Sequence, residues 1–167
     1  ALFGFGAAPD LKNSSLNIAN LNQGGLSLPN RDYYVKTDAK SQEIREAFVK
    51  HMSRMFVLLG DSAASANANA QAVMDIQMKL AEASLSSVEL RNPNNRYNRK
   101  TIAELESMVP EFDWKTYLAA RNAAQIADLN VGQPKFFQAL NGILKGVSLE
   151  NWKNYLRWQV VHTTADE

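Results

Sequence analysis

The sequence predicts a mainly α protein, a multi-helix, orthogonal or bundle-like domain preceded by a strand-poor, loop-rich N-terminal segment. Three observations carry this. Apolar residues recur at three- and four-residue spacing from Thr37 onward. Helix-cap residues stand at Thr101, Asp113 and Ser148. Glycine and proline concentrate near the start of the chain. With 167 residues, 46% of them hydrophobic and 21% charged, the composition suits a globular chain rather than a disordered one. The expected organisation is a loop and short-strand segment over 1–35 and a helical domain over 36–167.

In the first segment Gly4, Gly6, Pro9, Gly24, Gly25 and Pro29 punctuate a chain in which Leu16 and Ile18 flank Asn17. That texture predicts loops with one or two short strands, at most an edge ribbon. From Thr37, Ile44, Phe48, Met52, Met55 and Leu59 fall on one helix face, and Gly60 stands where a left-handed C-terminal cap belongs. A second helix, 65–84, carries Ala66, Ala70, Val73, Ile76 and Leu80 on one stripe. Its small residues permit close approach of a neighbouring helix. A polar loop, 91–98, follows.

Thr101 and Glu104 have the spacing of a capping box, and Pro110 stops the short helix they open. Asp113 caps the next helix, with Phe112 and Tyr117 placed as a hydrophobic staple. Residues 125–131 suit a short extended stretch. Pro134 opens a fifth helix with Phe136, Phe137, Leu140, Ile143 and Leu144 on one face. Ser148 caps the last helix, and Glu150 in its first turn complements the macrodipole. There Leu149, Trp152, Leu156 and Val160 form one stripe, while Tyr155, Trp158 and His162 form a second on another side. A helix apolar on two sides is sandwiched between partners. Either the second partner lies outside these residues, or the helix is central to a self-contained bundle.

Chemistry is conspicuously sparse. Eighteen Lys and Arg against 17 Asp and Glu give a net charge of +1, too even for a generic polyanion binder, so no nucleic-acid partner is expected. The basic cluster Arg91, Arg96, Arg99 and Lys100 around Tyr97 reads as a loop whose Arg side chains pair with neighbouring carboxylates or carbonyl groups. Zero cysteines exclude disulfides, thiol nucleophiles and thiolate zinc sites. No apolar run reaches the roughly 18 residues of a membrane span. Ala1 is not Met and no leader pattern follows, so the expectation is either a signal peptide absent or already removed, or a piece excised from something larger.

His51 and His162, the latter with Asp166 one turn on, fall short of the three protein ligands of a catalytic zinc and read as ordinary, partly buried histidines. No His-Glu-x-x-His, Gly-x-Ser-x-Gly or phosphate-loop pattern occurs, and Gly4-Phe5-Gly6 is a turn. Glu104 and Glu106 point to different sides of a helix rather than forming an acid/base pair. Asn13-Ser14-Ser15 matches a glycosylation acceptor triplet that is common by chance.

Several ordered stretches nevertheless stand out: Asp10-Leu11-Lys12-Asn13, the run from Gln23 through Leu28-Pro29-Asn30-Arg31-Asp32-Tyr33-Tyr34, Tyr97-Asn98 with Thr101-Ile102-Ala103-Glu104-Leu105, Phe112-Asp113-Trp114 with Tyr117-Leu118, and Trp152 to Trp158. In this order they resemble the neprilysin and endothelin-converting-enzyme family of zinc metallopeptidases. Gln77, where the family commonly shows Glu, and Lys100, where Met is common, depart from the pattern.

The resemblance implies the N-terminal, helical covering lobe of a two-lobed, extracytoplasmic peptidase of the bacterial branch, in the periplasm or cell envelope. Its partners would be the catalytic lobe of the same polypeptide and peptide substrates. The zinc and the catalytic residues would lie in that other lobe, so no catalytic or metal residue is expected here. Candidates for a chamber or inter-lobe surface are Arg31, Asp32, Tyr33, Tyr34, Tyr155 and Trp158. A helical binding module without peptidase activity is the alternative.

Overall fold

The computed structural model describes residues 1–165, so Asp166, one turn on from His162, lies outside the described residues. The chain is mainly α. In order it forms strands β1 (Phe3–Pro9) and β2 (Asn17–Gln23), helices α1 (Asp32–Val35), α2 (Ala39–Leu58) and α3 (Ala63–Ala83), and two 3-10 turns over Glu89–Arg91 and Pro93–Arg96. Strand β3 (Arg99–Thr101), helices α4 (Ile102–Met108) and α5 (Trp114–Ala120), strand β4 (Asp128–Val131), and helices α6 (Pro134–Gly146) and α7 (Leu149–Thr164) complete it. Six α-helices after Thr37 match the periodicity.

Contacts divide the chain into two compact units, one of Ala1–Gly25 with Ala83–Lys145 and the other of Leu26–Glu82 with Gly146–Glu167. The boundary expected near residue 35 followed texture, whereas packing divides the chain after Gly25, after Glu82 and after Lys145. Residues far apart in sequence pair within each unit.

The first unit is built on a four-stranded sheet of order β1-β2-β4-β3. Strands β1 and β2 run antiparallel over their full length, β2 and β4 pair in parallel through Asn20↔Asn130 and Leu21↔Val131, and β3 closes antiparallel on β4. This corrects the expectation of an edge ribbon at most. β2 lies inside a sheet, because its second partner comes from residues more than a hundred positions away. Phe3, Leu21, Leu129 and Val131 are buried. The Phe3 ring meets Phe112, Trp114, Tyr117 and Phe137 at centroid distances of 5.3–5.6 Å. Gly132 packs closely beside this sheet: a Cβ there would lie 2.6 Å from Asn22 Oδ1, which would have to turn away, and 3.2 Å from the Leu21 carbonyl.

The caps of this unit form as the sequence predicts. Thr101 Oγ1 accepts from Glu104 N–H at 3.2 Å while Glu104 Oε2 accepts from Thr101 N–H at 2.8 Å. Asp113 accepts from Thr116 N–H, and Phe112 meets Tyr117 at 5.5 Å.

Among the described residues, the regular elements of the second unit are all helices. Asp38 caps α2 through Ser41 N–H, and α2 ends on Gly60 with φ +96°, the left-handed conformation its position demanded. The predicted α3 stripe of Ala66, Ala70, Val73, Ile76 and Leu80 is buried throughout. Ser148 caps α7 through Asn151 N–H. Arg157 on α7 donates to both carboxylate oxygens of Asp61 at 3.0 and 3.2 Å. Asn69 donates to Asp61 as well, and Asn154 donates to Asn69. These bonds hold the Asp61 carboxyl below its usual range, Arg157 first and Asn69 second. The turn after α2 is thereby tied to α3 and α7 by charge-assisted bonds.

Candidate functional site

The run that carries the resemblance most specifically, Leu28 to Tyr34, lies with Ser27 in a buried hydrogen-bond cluster of the second unit. Gly25 adopts φ +82° just before the run, and Tyr34 sits on the single turn of α1. The Tyr34 hydroxyl donates to Gln77 Oε1 on α3 at 2.5 Å and accepts from the Leu28 and Ser27 N–H groups at 2.8 and 3.1 Å. Ser27 N–H also approaches Gln77 Oε1 at 3.1 Å. Ser27 Oγ accepts from Gln77 Nε2 and from Trp158 Nε1 on α7, both at 2.9 Å. Tyr34 is 1%, Gln77 0% and Trp158 1% exposed. Each polar atom of this cluster thus has a partner, as burial requires. Burial pushes the Tyr34 phenol above its ordinary range, partly offset by the Leu28 and Ser27 N–H bonds. It does so more strongly for Tyr155, with Tyr34 adding to the effect.

This arrangement pins a non-helical segment between α1, α3 and α7. Gln77 is its hub: a single amide that accepts from one side and donates to the other. The sequence marks Gln77 as a departure from a family pattern, but nothing local in it shows that the residue joins Ser27, Tyr34 and Trp158.

The six candidate surface residues separate into two groups. Tyr34, Trp158 and Tyr155, the last 0% exposed, belong to the core and cannot form a surface for another segment. These three candidates for a chamber or inter-lobe surface are therefore buried within the chain rather than left open. Phe48 of α2 meets the Trp158 ring edge-on at 5.7 Å. Periodicity identified two apolar faces but not which was covered. The larger aromatic area is the one that is buried, in keeping with its greater hydrophobic gain. The more exposed face of α7 is the stripe of Leu149, Trp152, Leu156 and Val160. Arg31, Asp32 and Tyr33 are partly exposed. Asp32 pairs with Lys36 at 3.2 Å, and the Tyr33 carbonyl accepts from Arg45 at 3.0 Å. An open hollow of about 390 Å³ is lined by Asn30, Asp32, Tyr33, Lys36 and Asp38, among others.

The remaining candidates for chemistry are structural. His51 and His162 are exposed, contrary to the partly buried setting expected of them, and both rest on the Trp158 ring, at 5.8 Å edge-on and 5.2 Å stacked. No group of three or more His, Asp or Glu able to hold a metal occurs among the described residues. Glu104 is committed to the capping box, whose Thr101 N–H, with Lys100 and the Thr101 hydroxyl, pulls its carboxyl down to about 2. Of the basic cluster, Arg99 pairs with Asp128 at 2.8 Å and Lys100 with Glu104 at 2.9 Å. Tyr97 donates to Asp10 at 3.1 Å. No helix among the described residues is long and apolar enough to cross a membrane.

A family model for peptidase family M13 matches residues 1–167. Neprilysin-3 of Drosophila melanogaster is 30% identical over 173 residues, covering 97% of this chain and 22% of that protein. Human endothelin-converting enzyme-like 1 is 27% identical, covering 96% and 21%. The open-state structure of the zinc metalloprotease ZMP1 of Mycobacterium tuberculosis superposes with a TM-score of 0.89 at 27% identity, covering 96% of this chain and 25% of that one. The chain thus spans about a fifth to a quarter of the length of these relatives. Its ordered motifs, its fold and the family match agree: the chain belongs to peptidase family M13, to whose N-terminal region it corresponds.

Proposed function

We propose that the chain is part of the N-terminal covering lobe, a multi-helix, orthogonal or bundle-like body, of a zinc metalloendopeptidase. In this reading it walls a substrate chamber and admits peptides while excluding folded proteins. The partner is the catalytic lobe of the same polypeptide, which holds the zinc and the residues that activate water. A catalytic zinc requires three convergent ligands, an open position and a nearby base. The two histidines of this chain supply no such set. The single observation that carries the reading is the match of all 167 residues to the family, over a quarter of the length of a zinc metalloprotease. Arg31, Asp32 and Tyr33 are the candidates among the expected residues for a surface turned toward the chamber. The parent protein acts outside the cytoplasm of a bacterium, in the periplasm or envelope.

The test assays the full-length parent with a quenched peptide and with a folded protein carrying the same cleavable sequence in a surface loop. The expected result is chelator-sensitive cleavage of the peptide and none of the folded protein, with no turnover by residues 1–167 alone in added zinc. Turnover by the segment alone ends the lid reading. Absent or chelator-insensitive turnover by the parent favours a binding module.

A further inference from the structure

On α7, Leu149, Leu156 and Val160 are 72%, 56% and 61% exposed, and the half-buried Trp152 lies between them. At about 100° per residue these four positions span roughly 80° of the helix circumference. Their centre is about 150° from that of the buried face of Asn154, Tyr155 and Trp158, so one neighbour cannot cover both. The spacing of three, four and four residues makes a straight ridge about 16 Å long at 1.5 Å per residue. Such a ridge matches the groove of another helix rather than a strand or a globular tip. Polar residues do not interrupt it, whereas Glu150 and Lys153, which pair across one turn at 3.8 Å, are highly exposed.

We infer that the Leu149, Trp152, Leu156 and Val160 ridge of α7 is the docking face for an amphipathic helix from the parent polypeptide outside residues 1–167. The occupant follows from length: relatives matched over nearly all of this chain are four to five times longer, since it covers only 21–25% of them. Most of the parent's apolar surface therefore lies outside this segment. A covalently linked helix also docks at high effective concentration, an advantage that a second copy lacks. The inference rests on the proposed function only in placing the segment within a larger polypeptide.

The test uses the full-length parent with Leu156→Cys or, separately, Val160→Cys. Thiol alkylation is read by mass spectrometry on the peptide containing the new cysteine, and Lys145→Cys, at an exposed residue, serves as the reference. Positions 156 and 160 are expected to label at least about tenfold more slowly than position 145, independently of protein concentration. A Leu156→Glu, Val160→Glu pair is expected to lower the parent's Tm. Labelling at the reference rate, with an unchanged Tm for the glutamate pair, overturns the inference. Protection that disappears on dilution also overturns it, because it assigns the face to a second copy. The chelator-sensitive peptide assay is scored separately. Free labelling with intact peptidase activity rejects only the docking face, and protection without peptidase activity rejects only the proposed function.

Discussion

The two units of this chain solve the same problem with different chemistry. In the first, the core around Phe3 is a set of edge-to-face and tilted aromatic rings under a sheet, with Trp114 Nε1 donating to the Val109 carbonyl at 3.2 Å. In the second, the core around Trp158 is threaded by the hydrogen bonds of Ser27, Tyr34 and Gln77. The ring cluster is held by non-directional burial and tolerates small changes of shape. The polar cluster is all or nothing, because losing one partner leaves others buried and unpaired. The two units are therefore expected to respond oppositely to substitutions that keep volume.

The largest effect is expected from truncation at the point where the second unit is both packed and bonded. Trp158→Ala removes a ring that is 1% exposed and withdraws one of the two donors from Ser27 Oγ. A loss of about 3–5 kcal/mol is expected from the cavity alone, read as a fall in the urea midpoint. A loss under about 1 kcal/mol would mean that this core is loosely packed.

The volume-conserving pair sharpens the contrast. Gln77→Leu leaves the Tyr34 hydroxyl and the Ser27 N–H without their shared acceptor, an expected cost of about 1–3 kcal/mol. Gln77→Glu is expected to cost less where its buried carboxyl stays protonated, since it then still accepts from Tyr34 and can donate to Ser27 Oγ. In the first unit Phe3→Leu is expected to cost only about 1 kcal/mol, since the neighbouring rings can close around it. If Gln77→Leu proves as mild as Phe3→Leu in chemical unfolding, the distinction between the cores fails.

The same contrast explains how much of the molecule was legible in the sequence. Helices α2 to α7 and their caps are local objects: Thr101 finds Glu104, Asp113 finds Thr116 and Gly60 ends α2 within a turn. The sheet is not local. Asn20 pairs with Asn130 across 110 residues, and Gly4 and Gly6 blur the alternation of β1. The Ser27, Tyr34 and Gln77 cluster was out of reach for the same reason, its members being separated by up to 50 positions. The motif run drew attention to Tyr34, but its role in the core, rather than on a surface, depends on α3 and α7.

The smallest effect tests the local end of this scale. Thr101→Ala deletes the hydroxyl that caps α4 and should cost about 1 kcal/mol. Its partner adds a pH dependence whose sign is fixed by the box. Glu104 is drawn from 4.5 down to about 2 because its carboxylate accepts from Thr101 N–H, Lys100 and the Thr101 hydroxyl. A carboxyl whose folded value is depressed stabilises the fold fully above its unfolded value and loses that contribution as pH falls through the folded one. The contribution of Glu104 is thus present above about pH 4.5 and disappears on the way to about pH 2. Glu104→Gln should flatten the urea midpoint over this interval and leave the neutral-pH behaviour of the Ser148 cap untouched, since a serine hydroxyl does not titrate. Because the two bonds close one turn, the Thr101→Ala and Glu104→Gln losses should sum to more than the double variant loses. Full additivity would show that the two bonds act independently, and a pH profile unchanged by Glu104→Gln would assign the acid sensitivity to other carboxylates, with Asp61 and its Arg157 pair the next to examine.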